Sequence, residues 1–160
     1  MKLETKMNTN TIKKLNLHDR EITRNILALQ KDSYKIEAEF IGFYDIPPLK
    51  DTVDSLRECN EIFYGYYIDD VLAGIISYKI IENVLDIHRV SVHPNFFRKR
   101  IGESLLHFVE KINNCANKIV VCTGKDNLPA VNLYLKNGYI RVKDIEISKD
   151  VYLTEFEKVL

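Results

Sequence analysis

Residues 83–124 have the sequence NVLDIHRVSVHPNFFRKRIGESLLHFVEKINNCANKIVVCTG, and this stretch decides the class of fold. Its first part, NVLDIHRVSVHP, predicts a strand that ends at Pro94. A helix is expected from about Arg100, since five apolar residues are spaced to form one buried face: Ile101, Leu105, Phe108, Val109 and Ile112. The apolar run of residues 119–122 predicts a central strand covered on both sides. A strand, a helix and a strand at this spacing predict a parallel pair with a right-handed crossover.

The rest of the chain predicts further strands and helices around this unit. TIKKLNL (11–17) is expected to form a strand, and Asp19 is expected to cap a helix over residues 20–41, which the prolines of DIPPLKD (45–51) break. The other predicted elements are a short helix at 52–59, strands at 61–68 and 71–81 joined by a turn at Asp69 and Asp70, a helix at 128–138, and strands at 139–148 and 151–160. Together they predict an α/β (α+β) fold with a mixed, mostly antiparallel central sheet of about six to seven strands, one parallel βαβ pair and helices on both faces.

The composition is that of one globular domain over residues 1–160, with residues 1–10 expected to be loose. The formal net charge of +0 argues against a nucleic-acid-binding protein, whose domains usually carry a basic excess. The apolar run at 71–76 is too short for a membrane span or a signal peptide, so we expect a soluble, cytoplasmic protein without a membrane partner. The three cysteines form no CxxC pair and predict neither a disulfide framework nor a zinc site.

Opposite charges are concentrated in two regions of the sequence. Residues 32–61 contain eight acids against three bases, whereas residues 87–100 contain six basic or histidine residues and no acid. The first region favours a cationic ligand and the second an anionic one. The alternative is that both regions are solvated surface.

Three consecutive cations, Arg98, Lys99 and Arg100, lie where the central helix starts. Positive charge at a helix N-terminus opposes the helix dipole, so an anionic ligand is expected in front of it. Gly102 permits close approach of the backbone to that ligand. The stretch is not a Walker A loop, which needs a second glycine and a Lys-Ser/Thr pair at fixed spacing.

Two motifs in combination resemble a known family. RVSVHPNFFRKRIGESLL (89–106), followed by DNLPAVNLYLKNGY (126–139), is similar to the GNAT superfamily of acetyl-CoA-dependent N-acetyltransferases. The family's phosphate-loop pattern, Gln/Arg-x-x-Gly-x-Gly/Ala, falls on residues 97–102. Only Gly102 matches it strictly, because Phe97 replaces the polar first position and Arg100 replaces the first glycine. Since Arg100 lies at the helix start, we expect its backbone to be in an ordinary helical conformation, which tolerates arginine.

The resemblance implies an N-acyltransferase that moves an acetyl group from acetyl-CoA to a primary amine by direct attack, without a covalent enzyme intermediate or a metal. The co-substrate is expected where the strand ending at Val92 and the strand at 118–123 part, beside a bulge. The residues implied to bind it are Val90, Val92, Phe97, Arg98, Lys99, Arg100, Ile101, Gly102, Glu103, Ser104, Asn127 and Tyr134. Asn127 could instead be a turn residue ahead of the helix.

By the same resemblance, Tyr134 is expected to protonate the departing thiolate, the alternative being a tyrosine that only packs. For the base, we expect His88 with Asp86 beside it, because both share a strand face with Val90. The alternatives are a polar pair at a solvent-facing edge, or a base at Glu37 or Glu39.

The acceptor is expected to be a small-molecule amine. Glu37, Tyr44 and Asp45 are expected to bind it, because the resemblance places the first two helices and FYDIPPLKD at the acceptor wall, and the acidic excess there favours a cationic amine. A second hypothesis is a catalytically inactive acyl-CoA-binding module of the same fold. The sequence leaves the oligomeric state open, with a homodimer as one alternative.

Overall fold

A computed structural model of the chain describes residues 10–160. Most of the predicted loose segment, residues 1–9, lies outside the described residues. The prediction is wrong for Asn10, which begins the first strand opposite Ile68.

The described chain forms a seven-stranded sheet with helices packed on it. Its elements in chain order are β1 (Asn10–Lys14), α1 (Arg20–Ile41), α2 (Val53–Glu58), β2 (Ile62–Ile68), β3 (Val71–Ile81), β4 (Val84–Val92), α3 (Ile101–Ile112), β5 (Lys118–Gly124), α4 (Leu128–Lys136), β6 (Ile140–Ser148) and β7 (Val151–Val159). The strand order is β1-β2-β3-β4-β5-β7-β6. β4 and β5 are parallel, and the other neighbouring strands are antiparallel. The predicted fold class and the parallel βαβ unit are therefore confirmed.

Local sequence signals set several element ends. The Asp19 side chain accepts hydrogen bonds from the backbone N–H groups of Glu21 (3.0 Å) and Ile22 (3.4 Å), as expected for an N-cap. Asp69 and Asp70 both have positive φ, 47° and 65°, which suits the two-residue turn between β2 and β3. Helix α1 ends at Ile41, as predicted, but Gly42 (φ 65°) terminates it ahead of the prolines that were expected to break it.

Three predicted features are wrong. The strand predicted at 11–17 is shorter, because β1 ends at Lys14 and Leu15 is buried in the core beneath α1. Ile112 is 43% exposed because it lies at the last turn of α3, whereas Leu106 is fully buried. Cys122 of β5 is exposed, so that strand is not covered on both sides along its whole length.

The two faces of the sheet carry separate apolar cores. On one face α3 and α4 bury residues such as Leu105, Val109 and Val131. On the other face α1 and α2 bury Ile26 and Leu56, among others. β6 is exposed along its length. From residue 10 onward, no helix is long and apolar enough to cross a membrane.

Candidate active site

The parallel strands β4 and β5 pair only over their first halves. Their pairing runs from Val84 opposite Lys118 to Ile87 opposite Val121 and then stops. Ser77 of β3 lies opposite Arg89 and Tyr78 lies opposite Ile87, which leaves His88 as an extra residue in β4. The predicted bulge is therefore confirmed and lies where the strands begin to part. The carboxyl-terminal halves of β4 and β5 frame an opening, the usual position for a ligand in such sheets.

A cavity of about 610 Å³ occupies one side of this opening, and we name it the cationic cavity. Of the twelve predicted co-substrate residues, all except Ser104 line it. The Ser104 hydroxyl instead donates a hydrogen bond to the Arg100 carbonyl oxygen (2.9 Å) within the first turn of α3. Helix α1 contributes four further lining residues: Ser33, Ile36, Glu37 and Phe40. The sequence did not predict any of them as co-substrate residues, although Glu37 was considered as a base and as an acceptor-binding residue.

The backbone at the start of α3 is left-handed at two arginines. Arg98 has φ 65°, and Arg100, the N-cap residue, has φ 58° and ψ 28°. The expectation of an ordinary helical conformation at Arg100 is wrong, because the chain forms a turn and bends over residues 97–100 before α3 begins. Arg100 therefore adopts the conformation that glycine favours, at the position where the family pattern has glycine. Among residues 10–160, no side chain accepts a hydrogen bond from the amide groups of this first turn, which leaves them available to an anion beside the cavity.

A second cavity, of about 410 Å³, lies on the other side of the opening, and we name it the acidic cavity. Four carboxylates line it: Glu37, Asp51, Glu61 and Asp86. Its basic lining residues are Arg89 and His88. The two cavities share five lining residues, namely Glu37, Val90, Asn127, Ala130 and Tyr134. Ligands in the two cavities would therefore meet at this shared wall.

Tyr134 is buried at the shared wall and packs against two aromatic rings. Its ring lies 5.6 Å from that of Tyr139 and 5.4 Å from that of Phe156, and the residue is 3% exposed. Burial, with a smaller contribution from the charge of Glu37, raises the pKa of Tyr134 well above its usual value. Within residues 10–160 its hydroxyl has no hydrogen-bond partner. The phenol thus stays protonated and can donate to a ligand.

Asn127 both caps a helix and lines the two cavities. Its Oδ1 accepts a hydrogen bond from the Ala130 backbone N–H (3.5 Å) at the start of α4. Its Nδ2 donates to the Thr123 hydroxyl (3.3 Å). The turn role that the sequence left open is therefore real, and it fixes the side chain where a ligand could contact it.

Glu37 lies in the same hydrogen-bonded group. The Thr123 hydroxyl donates to its Oε1 at 3.4 Å. Burial raises the pKa of Glu37, although hydrogen bonds from Asn127, Thr123 and the Gly124 backbone partly oppose the shift. Glu39, the rival on the same helix, is exposed and lines neither cavity.

The other predicted catalytic and acceptor residues do not lie at the wall that the two cavities share. His88 Nε2 is 3.3 Å from Asp86 Oδ2, and both residues line the acidic cavity only. Tyr44 is 64% exposed, and Asp45 is ion-paired with Lys50. Neither Tyr44 nor Asp45 lines either cavity, so the geometry does not bring them to the site.

Sequence reasoning missed a buried ionic network in the wall of the acidic cavity. The Arg89 guanidinium contacts Asp51, donates to Glu61 Oε1 from Nε (3.0 Å) and donates to Gln30 Oε1 from Nη1 (2.8 Å). A signal existed, since a charged residue at an inward position of an alternating strand requires buried partners. Part of the acidic excess at 32–61 therefore neutralises Arg89 and is unavailable to a ligand.

The described residues contain no cluster of His, Cys, Asp or Glu side chains arranged to hold a metal ion. Cys59, Cys115 and Cys122 are free thiols.

A model of the acetyltransferase (GNAT) family matches residues 24–139. The UPF0157 protein YqkA of Bacillus subtilis (strain 168) is 41% identical over 135 residues, which are 84% of this chain. The chain spans only 39% of the length of YqkA. The spermidine N(1)-acetyltransferase of Thermoplasma acidophilum is 30% identical over 112 residues, which are 68% of each protein.

A similar solved structure agrees in fold. The PaiA N-acetyltransferase of Thermoplasma acidophilum, solved in complex with coenzyme A, superposes with a TM-score of 0.68 at 23% identity. The match covers 92% of this chain and 98% of that one. The two proteins therefore have a similar overall fold.

Proposed function

The chain belongs to the GNAT acetyltransferase family, and we propose that it moves an acetyl group from acetyl-CoA to a primary amine. The observation that carries this proposal is the meeting of two cavities of opposite character at Tyr134. One cavity suits an anionic co-substrate, and the other suits an amine. Their shared wall would bring the two reactants together, and such positioning supplies a large part of catalysis in direct transfer.

The cationic cavity fits the phosphate groups and the arm of acetyl-CoA. The uncapped first turn of α3, together with Arg98 and Lys99, would bind the phosphates. A Cβ atom added to Gly102 would lie 3.4 Å from Leu133 and 3.9 Å from Val90, two residues that line this cavity. A side chain at position 102 would therefore contact the lining of the cavity, whereas glycine adds no atoms to it. The PaiA structure, which contains coenzyme A, supports the same assignment.

The acidic cavity fits a cationic amine. Asp51 and Glu61 are engaged by Arg89, so Glu37 and Asp86 are the carboxylates left to attract positive charge. The similarity to a spermidine N(1)-acetyltransferase supports a small amine with additional positive charge, such as a polyamine. His88 and Asp86, at the outer part of this cavity, would position the far end of such a molecule.

The proposed reaction needs no covalent enzyme intermediate. The neutral amine attacks the thioester carbonyl carbon, a C–N bond forms and the C–S bond breaks. Tyr134 donates its proton to the departing thiolate, since its hydroxyl is protonated and unengaged in the described structure. The three free cysteines are not required in this scheme.

A thiol-release assay tests the proposal. Acetyl-CoA is offered with a panel of polyamines, monoamines and acidic amino acids, and coenzyme A affinity is measured separately by calorimetry. We expect turnover with at least one cationic amine, and binding that weakens as salt is added. Binding without turnover for the whole panel would favour an acyl-CoA-binding module instead. The absence of binding would contradict both functions.

A further inference from the structure

We propose that Glu37 is the general base that removes a proton from the acceptor ammonium before attack. This inference rests on the proposed function and names a catalytic residue for it. Glu37 is on α1, near the end where α1 packs against Gly124 of β5.

Position distinguishes Glu37 from the other carboxylates. Of the four that line the acidic cavity in the described structure, Glu37 alone also lines the cationic cavity. Asp51 and Glu61 hold Arg89, and Asp86 lies beside His88 on the acidic side only. A base must contact the amine at the point where the amine meets the thioester, and that point is the shared wall.

The surroundings of Glu37 hold its carboxylate in place and tune it. Thr123 donates to Glu37, and Asn127 in turn donates to Thr123, so the orientation is supported from β5 and from the start of α4. Burial raises its pKa, which brings its basicity closer to that of an efficient base near neutral pH.

The other titratable and charged groups around Glu37 come from every element that borders the two cavities. They are Tyr34 on α1, Asp51 before α2, Glu61 just before β2, Asp86, His88 and Arg89 on β4, Arg98, Lys99, Arg100 and Glu103 at α3, Cys122 on β5, and Tyr134 on α4. Arg89 is compensated by Asp51 and Glu61. His88 is the other candidate base, and it lines only the acidic cavity.

The proton balance of the step is complete. The Glu37 carboxylate takes one proton from the acceptor ammonium and leaves a neutral amine. After attack, the Tyr134 hydroxyl protonates the thiolate, and the resulting phenolate takes the second nitrogen proton as the amide forms. Glu37 then releases its proton to water. The products are the N-acetylated amine, coenzyme A and one proton in solution.

The test compares Glu37→Gln with Glu39→Gln. Glutamine keeps the size and hydrogen-bonding capacity of Glu37 but cannot accept the proton, whereas Glu39 lies outside both cavities on the same helix. We expect Glu37→Gln to lower kcat by about 10²-fold or more and to remove the acidic limb of the pH profile of kcat. Coenzyme A affinity and melting temperature should stay as in the wild type. Glu39→Gln should retain the wild-type rate and the acidic limb.

The outcomes separate this inference from the proposed function. An active wild-type enzyme whose Glu37→Gln variant keeps its rate and its acidic limb would overturn the role of Glu37 alone. Loss of the acidic limb in His88→Gln, with the limb retained in Glu37→Gln, would assign the base to His88. A wild-type protein that binds coenzyme A but acetylates no amine would overturn both.

Discussion

The Arg89 guanidinium and the Glu61 carboxylate form an ion pair inside the protein, with Nε 3.0 Å from Oε1 and only 10% and 6% of the two side chains exposed. The pair joins β4 to the residue just before β2, and both residues line the acidic cavity. The Ser77 hydroxyl also donates to Glu61 Oε1, at 2.6 Å. Because its oxygens are occupied in this way, Glu61 supports the cavity floor rather than binding a substrate.

Removal of Arg89 should destabilise the fold strongly. Arg89→Met leaves two buried carboxylates without their cation, and loss of one partner of a buried pair typically costs about 3–5 kcal/mol. Urea denaturation measures the free energy of unfolding. Lys136→Met is the matched control, since it breaks an ion pair with Glu103 in which Lys136 is 61% exposed, and an exposed pair is worth about 0–1 kcal/mol. Equal losses in the two variants would mean that the Arg89 network contributes no special stability.

Glu61 should make the fold sensitive to acid. Burial alone would raise the pKa of Glu61, but hydrogen bonds from Ser77 and Arg89 hold it below its usual value. A carboxyl group with a lowered pKa stabilises the folded state above its unfolded pKa, and this stabilisation is lost as the pH falls through the folded pKa. The free energy of unfolding, measured by urea between neutral and acidic pH, should therefore fall more steeply in the wild type than in Glu61→Gln. If the free energy of unfolding falls equally steeply with pH in the two proteins, Glu61 is not the source of the acid sensitivity.

Because the backbone at Arg100 is left-handed, we expect glycine at this position to stabilise the fold. Arginine at φ 58° carries strain of about 1–2 kcal/mol that glycine does not, so Arg100→Gly should raise the melting temperature. Lys99→Gly, next to it, is the control, because Lys99 is not among the residues with positive φ and glycine there only adds freedom to the unfolded chain. A melting temperature lowered equally by both changes would show that the loop relaxes around Arg100.

Tyr134→Phe tests the general acid. The change keeps the ring that packs against Tyr139 and Phe156 and removes only the hydroxyl. We expect turnover to fall by about 10²-fold, the usual contribution of one acid, with coenzyme A affinity little changed. Thiol release and calorimetry measure the two quantities. If turnover is unchanged, water or another group protonates the thiolate.

Much of the fold followed from local signals in the sequence. The Asp19 cap, the Asp69-Asp70 turn and the apolar spacing of α3 each depend on residues within a few positions of one another. The βαβ unit followed from the spacing of a strand, a helix and a strand, and the rule of right-handed crossovers does not depend on distant contacts.

The parts that sequence could not supply depend on contacts between distant residues. Arg89 meets Gln30 and Asp51, which lie 59 and 38 positions away. Glu37 becomes a candidate base only because α1 brings it to Thr123, 86 positions away. The positive φ of Arg100 goes with the bend that leads into α3, and no conformational preference of arginine predicts it.

The carboxylate of Asp86 should control the capture of multiply charged acceptors. Asp86 lines the acidic cavity, its side chain is 44% exposed, and Arg89 does not neutralise it. In the proposed reaction the transfer takes place at Glu37 and Tyr134, so a second ammonium group of a polyamine would reach toward Asp86 while the first one reacts. Asp86→Asn should therefore raise KM for a diamine or polyamine, with kcat nearly unchanged, because the interaction is uniform along the reaction.

The comparison with a monoamine makes this prediction specific. KM for a monoamine with an uncharged tail should change little in Asp86→Asn. In the wild type, added salt should reduce the difference in KM between the polyamine and the monoamine. Asp54→Asn, an exposed change on α2 outside both cavities, is the matched control and should leave both KM values as they are. The competing interpretation is that Asp86 only pairs with His88 at a solvated strand face, since their atoms are 3.3 Å apart. Equal KM changes for the diamine and the monoamine would support that interpretation, because a charge that contacts no second ammonium cannot distinguish the two acceptors.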